Sequence, residues 1–305
     1  MTSQREDILP IHRTEAAQLP PRLWPLRNVI GSLGLSIEHG TPRDFARRQT
    51  HDGYMRITRP HYVDDSGQVY YTVMNPGGGF FGGDDYRMDI HVGEDASLLL
   101  TDQSATTVYK TPDDYCMQEM NIVLDKGALF EWMPCQLIAY KGATYHQNVR
   151  VDMHPEATLM MAEVVTPGWA PDGSHFMYDE VRVRSAINVA GEPKVLDNLI
   201  VRPGTGEFEK NTLLFLEDQT HLGTLTVVDR RMDKDLVTRV REVAEEAAEA
   251  SSTKLRWAAS ITEGPGLAMR VIGSHTYDIQ KLLYTVVSFL RGEFGGYGPL
   301  NLRRR

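Results

Sequence analysis

The sequence predicts a mainly β protein: an elongated, β-helix-like stack of antiparallel strands with two α-helices in its C-terminal half. Three observations carry that expectation. Apolar and polar residues alternate with period two up to about residue 228, a strand–turn–strand echo returns about every 30 residues, and two stretches of helical period follow residue 232.

In chain order, residues 1–28 carry Pro10, Pro20, Pro21 and Pro25 among polar side chains and read as a flexible leader, with a single domain expected over 29–305. Tyr86, Met88, Ile90 and Val92 then alternate with Arg87, Asp89 and His91, the pattern of a strand with one buried and one wet face. Val149, Val151 and Met153 repeat it, as do Val181, Val183, Ile187 and Val189. Wet faces favour antiparallel pairing, because parallel sheets are normally covered on both sides. The echo occupies residues 92–98, 124–129, 153–159 and, more weakly, 189–195; each copy is a strand, a tight polar turn and a second strand. Units that recur in this way bury their apolar faces on one another, which predicts stacking.

A helix over about 233–252 places Leu236, Val240, Val243 and Ala247 on one stripe. Thr276 can cap a second helix over about 276–291, in which Ile279, Leu282, Leu283, Val286, Val287, Phe289 and Leu290 make more than one face apolar. Such a helix is either buried between layers or completed by a partner. Gly292, Gly295, Gly296 and Gly298 are expected to end it in a flexible tail.

With 32 basic against 41 acidic side chains and a formal charge of -9, the chain is a poor nucleic-acid binder, since such binders neutralise phosphates with Lys and Arg. The run Arg303, Arg304 and Arg305 reads as a solvated chain end. Two cysteines, Cys116 and Cys135, are too few for a disulfide framework. With no apolar N-terminal segment and no stretch of membrane-spanning length, the expected location is the cytoplasm, without membrane attachment.

Chemistry is sparse. The conspicuous segment is Asn75, Pro76, Gly77, Gly78, Gly79, Phe80, Phe81, Gly82, Gly83 and Asp84. Phosphate-cradling glycine loops open a helix and supply a lysine; here a strand follows and no lysine does, so a tight connection or a docking point for a partner is expected. Neither Cys-x-x-Cys nor His-Glu-x-x-His occurs, so no tightly bound metal or cofactor is expected. Glu131 and Glu163 stand inside apolar strands, where a carboxylate needs a cation, a hydrogen-bonding partner or a wet patch. No catalytic set emerges, and the chain reads as a non-enzymatic binding protein. A polysaccharide-acting solenoid enzyme and a nucleotide-binding module built on residues 77–83 remain open alternatives at this point.

Residues 74–84 closely resemble the signature of the UreD (UreH) family of urease accessory proteins. The resemblance continues through residues 93–101, Gln103 to Thr106, Val108 to Lys110, and 127–134. It implies an elongated β-helix-like fold with two helices and a maturation factor that binds the urease apoprotein. It further implies recruitment of UreF and, through UreF, the GTPase UreG for GTP-dependent nickel insertion, with the accessory complex forming a dimer. Under this resemblance Glu131, His146, Asp152 and Glu163 are the candidates for a transient nickel path. Asn75, Pro76, Gly77, Gly78, Gly79, Gly82, Gly83 and Asp84, together with Leu283 and Phe289, are the candidates for partner contact. The sequence departs from the family pattern at Cys135 and at Gly168-Trp169.

Overall fold

Alternation sorts each strand's side chains onto two faces, and the chain stacks those strands into two sheets that share one interior. The computed structural model describes residues 29–203, 216, 218–300 and 302. The predicted leader and the basic C-terminal run lie outside the described residues.

The seven-stranded sheet runs β14 (Glu192–Val201), β13 (Glu180–Val189), β11 (Thr144–Met153), β8 (Cys116–Leu124), β5 (Asp85–Val92), β1 (Val29–Glu38) and β2 (Phe45–Gly53). The ten-stranded sheet runs β16 (Arg256–Ile261), β17 (Gly266–Gly273), β15 (His221–Val228), β12 (Thr158–Val165), β9 (Leu129–Trp132), β6 (Ser97–Asp102), β4 (Val69–Met74) and β3 (Arg56–Ile57). The short β7 (Thr106–Val108) and β10 (Leu137–Ala139) branch from it beside β12.

The stacked, β-helix-like architecture agrees with the sequence reading, but the expected antiparallel pairing does not hold in the middle of the molecule. There β1, β5, β8, β11 and β13 pair in parallel, as do β4, β6, β9 and β12. Antiparallel pairs are confined to the ends of the sheets. The reason is topological. Each coil leaves the seven-stranded sheet, crosses to the other and returns, so the next strand enters in the same direction.

Three copies of the echo make these crossings, from β5 to β6, β8 to β9 and β11 to β12. Their turns stack, with Asp95 N–H donating to Lys126 O at 2.9 Å and His154 N–H to Leu124 O at 2.9 Å. The fourth copy behaves differently. Ala190 and Gly191 both take positive φ (52° and 79°), the conformation of a tight hairpin, and return the chain antiparallel within the same sheet.

The polar face of the seven-stranded sheet is not simply wet. Asp89, Glu119, Asn121, Asn148 and Arg150 are all buried on it because they cover one another across neighbouring coils. Arg150 pairs with Glu119 and Asn121, and Asn121 donates to Asp89 at 2.7 Å. A stripe of charges that reads as solvated in one strand becomes a lateral ladder once coils stack.

Between the sheets lie Leu33, Leu35, Met88, Ile90, Leu98, Leu100, Phe130, Trp132, Val149, Leu159 and Met161. The other face of the ten-stranded sheet carries Leu99, Leu129, Met133, Met160, Val164 and Leu225, covered by two helices. Helix α1 (Lys234–Glu249) is capped by Asp233, whose side chain accepts Leu236 N–H at 2.8 Å. Its buried stripe is Leu236, Val237, Val240 and Ala244, displaced from the predicted one at Val243 and Ala247.

Helix α2 (Thr276–Gly295) is four residues longer than expected, and its N-cap is His275 rather than Thr276. Gly292 and Gly295 are helical. The stop is Gly296, at φ 68°, where a side chain would be strained. The segment beyond is tied back: Arg291 Nε donates to Gly298 O at 2.7 Å and Leu300 N–H to Ser288 Oγ at 3.0 Å. Leu283 is fully buried against the sheet and so is no partner contact, whereas half-buried Phe289 lies under the Arg239 guanidinium at 5.4 Å.

Candidate functional site

Strand alternation decides which of the carboxylates share a compartment. On β12, Met161, Glu163 and Val165 face the inter-sheet interior, while Met160, Ala162 and Val164 face the helices. On β9 the order is reversed, so that Phe130 and Trp132 face inward and Glu131 faces the helix layer. The two acids therefore lie on opposite sides of one sheet.

Glu131 is fully buried and ion-paired through one of its two oxygens, while Oε1 has no hydrogen-bond partner among the described residues. The Arg291 guanidinium of α2 contacts its Oε2, and Gln68 Nε2 donates to the same oxygen at 2.8 Å. Burial pushes its carboxyl up, more than Arg291 and Gln68 pull it down.

His146 and Asp152 point to the outer face of the seven-stranded sheet. His146 is held by Glu180 at 3.0 Å and stacks on Tyr115 at 4.8 Å. Burial lowers its pKa, with Glu180 acting in the opposite sense. Asp152 is half-buried, and burial raises its carboxyl. The four candidates for a nickel path thus fall into three separate places. Among the described residues no group of three or more His, Cys, Asp or Glu is arranged to hold a metal ion.

Glu163 alone faces the interior. Gln147 of β11, in the opposite sheet, donates to its Oε1. Gln147 in turn accepts from Tyr145 Oη at 2.9 Å, and the same hydroxyl lies 3.4 Å from Gln118 Oε1. Arg270 pairs with Asp197 at 2.6 Å, and no ion pair among the described residues reaches Glu163. Desolvation dominates, pushing the carboxyl up to about 7, against the smaller lowering by the Gln147 amide, while the Asp197 and Arg270 charges act in opposite senses.

Glu163 lines the smaller of two neighbouring cavities. One of about 50 Å³ is walled by Asn75, Gly78, Gly79, Phe80, Tyr86, Asp102, Thr106 and Gln118. A second of about 20 Å³ is walled by Asp102, Thr106, Gln118, Cys135, Gln147 and Glu163. They share Asp102, Thr106 and Gln118 in their walls. A polar space of roughly 10–15 Å³ already accepts one water-sized guest. Carboxylate, amide and hydroxyl oxygens with one thiol make a donor set that suits a divalent cation in transit better than a closed cage.

The glycine segment forms the outer wall of this space. Asn75 anchors it through Tyr86 Oη at 3.2 Å and Gly77 N–H at 2.9 Å, and Asp84 closes it by accepting Phe81 N–H at 2.8 Å. Gly78 and Gly83 take positive φ (80° and 86°), and a Cβ on Gly82 would lie 3.2 Å from the Thr111 backbone. At Gly79 a Cβ would lie 2.7 Å from Thr107 O and 2.6 Å from the Tyr109 ring. Gly79→Ala is therefore expected to cost roughly 1–3 kcal/mol of stability in urea unfolding, because Phe80 must stay paired with Thr107.

Sequence reading missed Asp102, Thr106, Gln118, Tyr145 and Gln147. A signal was present for the two glutamines. Each occupies an inward position of its strand, between Cys116 and Met120 and between Tyr145 and Val149, where the alternation calls for an apolar residue.

Comparison with known proteins places this geometry in a family. The profile of the UreD urease accessory protein family matches residues 30–305. The urease accessory protein UreD of Paenarthrobacter aurescens is 42% identical over 276 residues, covering 89% of this chain and 93% of that protein. That of Actinomyces naeslundii is 42% identical over 277 residues (91% and 99%), and that of Corynebacterium glutamicum 38% over 284 (90% and 98%). With a family match over most of its length and relatives of this identity, the chain belongs to the UreD family of urease accessory proteins.

Proposed function

We propose that this chain works in urease maturation as a scaffold that binds the urease apoprotein and recruits UreF and, through it, the GTPase UreG, while nickel in transit passes between its two sheets. The reading sets this in the cytoplasm, in an accessory complex that forms a dimer, and without catalysis by the chain itself. The family membership supports the role in maturation. The observation that carries the passage is Glu163, an inward carboxylate that closes no ion pair among the described residues and lines a cavity adjoining the one behind the glycine segment.

A route must bind its cargo weakly enough to release it. The narrow space between the sheets requires the ion to exchange bound water for protein oxygens, and the Glu163 carboxylate, with Asp102 in the same wall, supplies charge that offsets that loss. Protons compete for the same carboxylate, so transfer is expected to weaken as pH falls below about 7. The test is nickel-dependent activation of apo-urease with purified partners and GTP. Glu163→Gln is expected to reduce activation on the order of tenfold while still co-purifying with UreF and apo-urease. Full activation by this variant refutes the route, and failure of the wild-type chain to co-purify refutes the scaffold.

A further inference from the structure

Strand register carries a polar row away from Glu163 toward one flank of the molecule. In the ten-stranded sheet Glu163 lies opposite Thr224 of β15, and Thr224 lies opposite Arg270 of β17. Leu225, Val227, Met269 and Val271 face the helices, which turns Thr224 and Arg270 inward. In the seven-stranded sheet Gln147 lies opposite Val183 of β13, and the next inward position of that strand, Ser185, lies opposite Asp197 of β14. Val195 and Leu199 pack on the inter-sheet core, so Asp197 between them is inward too. Thr224 and Ser185 are buried, at 8% and 6% exposure. The smaller cavity already reaches Glu163 and Val183; Asp197 stands one strand farther out and Arg270 two, roughly 10 Å at the usual strand spacing.

This flank is where the two sheets end. β14 is the last strand of one sheet, and only β16 lies beyond β17 in the other. Across the gap, Lys194 of β14 packs on the β16–β17 turn, where a Cβ on Gly264 would lie 3.2 Å from its own, and Arg270 donates to Asp197 Oδ2 at 2.6 Å. Both members of that ion pair reach solvent, with 40% of the Arg270 side chain and 30% of the Asp197 side chain exposed. Glu163 itself keeps partial contact with solvent. Level with Glu163, the space between the sheets is thus closed on this side by a charged pair.

For a divalent cation at Glu163 the pair is an obstacle of two kinds. An ion in transit moves from one oxygen ligand to the next, and the next carboxylate on this side is Asp197, whose Oδ2 already holds Arg270. The guanidinium also keeps its charge at every working pH and repels the ion at short range, in a space poor in water. The charges that act on Glu163 are Asp197 and Arg270, so loss of Arg270 leaves the two acids without that cation. We infer that Arg270, held across the flank by Asp197, is a cation barrier that keeps nickel from escaping sideways out of the inter-sheet space. The barrier has this role only if nickel passes Glu163, as proposed above.

The experiment is nickel-dependent activation of apo-urease by the full-length chain, its purified partners and GTP while EDTA is titrated in, each variant normalised to its own activation without EDTA. Arg270→Gln is expected to lose half its activation at an EDTA concentration on the order of tenfold below that for the wild type, because ions leak to solvent through the opened flank. Arg270→Lys keeps the charge and is expected to recover most of the difference. Circular dichroism and thermal melts check each fold. Asp197→Asn frees the guanidinium from the flank, is expected to shift the EDTA response in the same direction, and provides the test should Arg270→Gln misfold. Wild-type EDTA sensitivity in folded Arg270→Gln, or in Asp197→Asn in its place, overturns the barrier. So does Arg270→Lys behaving like Arg270→Gln, since charge is then not what retains the ion. Full activation by Glu163→Gln overturns the passage itself, whatever the EDTA response, so the two failures are distinguishable.

Discussion

Arg291→Ala is expected to destabilise the protein by roughly 3–5 kcal/mol, the range for removing one member of a buried ion pair. Arg291 is 1% exposed and Glu131 is fully buried. Deleting the guanidinium leaves a carboxylate with no cation in an apolar layer among Leu129, Met133 and Leu290, with only Gln68 to hydrogen-bond it. Arg291 also donates to Gln68 Oε1 at 3.0 Å and to Gly298 O at 2.7 Å. One side chain thus ties α2, β9, the Gln68 segment and the returning C-terminal stretch together. Urea unfolding of the wild type, Arg291→Ala, Glu131→Leu and the pair Glu131→Leu with Arg291→Met measures the effect. The apolar double variant is expected to recover most of the loss, because the desolvation cost of both charges disappears with them. A loss under about 1 kcal/mol in Arg291→Ala means that the pair contributes no more than a surface bridge does.

The second large effect has the opposite sign. Glu163→Gln is expected to stabilise the protein by about 3 kcal/mol at pH 8, which for a chain of this size is roughly 5 °C in Tm, while impairing nickel-dependent activation. Glu163 holds its proton up to about pH 7, whereas the unfolded chain releases it near 4.5. Between those values the unfolded state binds fewer protons, so stability falls as pH rises; the penalty is absent below about 4.5 and complete above about 7. The neutral amide removes the penalty and can still accept from Gln147. The difference in Tm between wild type and variant should therefore be large at pH 8 and vanish near pH 4.5. Equal melting temperatures at pH 8 would show that the carboxylate is solvated and that the interior carries no stored cost. A site that stabilises the fold when neutralised is one kept against stability for its chemistry.

These two glutamates show how far a strand pattern reaches. Both looked alike in sequence, as acids inside apolar strands, and both suggested the same pair of explanations. Glu131 found Arg291, 160 residues away in sequence, and became part of the packing. Glu163 found an amide and a cavity. Nothing local to either acid distinguishes them, because burial and counter-charge come from other coils and from α2. His146 and Asp152 illustrate the same point on the outer face, where Glu180 and neighbouring strands decide their surroundings.

What the chain determined by itself was its β-rich character, the recurring crossings at residues 92–98, 124–129 and 153–159, the two helices, and, through the glycine segment, its family. These are properties of local conformation and of apolar periodicity, which neighbouring residues set. Only the tertiary structure decided that the stacked strands run parallel, that the polar stripe of the seven-stranded sheet is a ladder, that Glu131 and Glu163 face opposite ways, and that Asp197 and Arg270 meet across one flank. Alternation tells which residues of a strand point together; the direction of the return path, and the side chains waiting on the next coil, are set by how the coils stack.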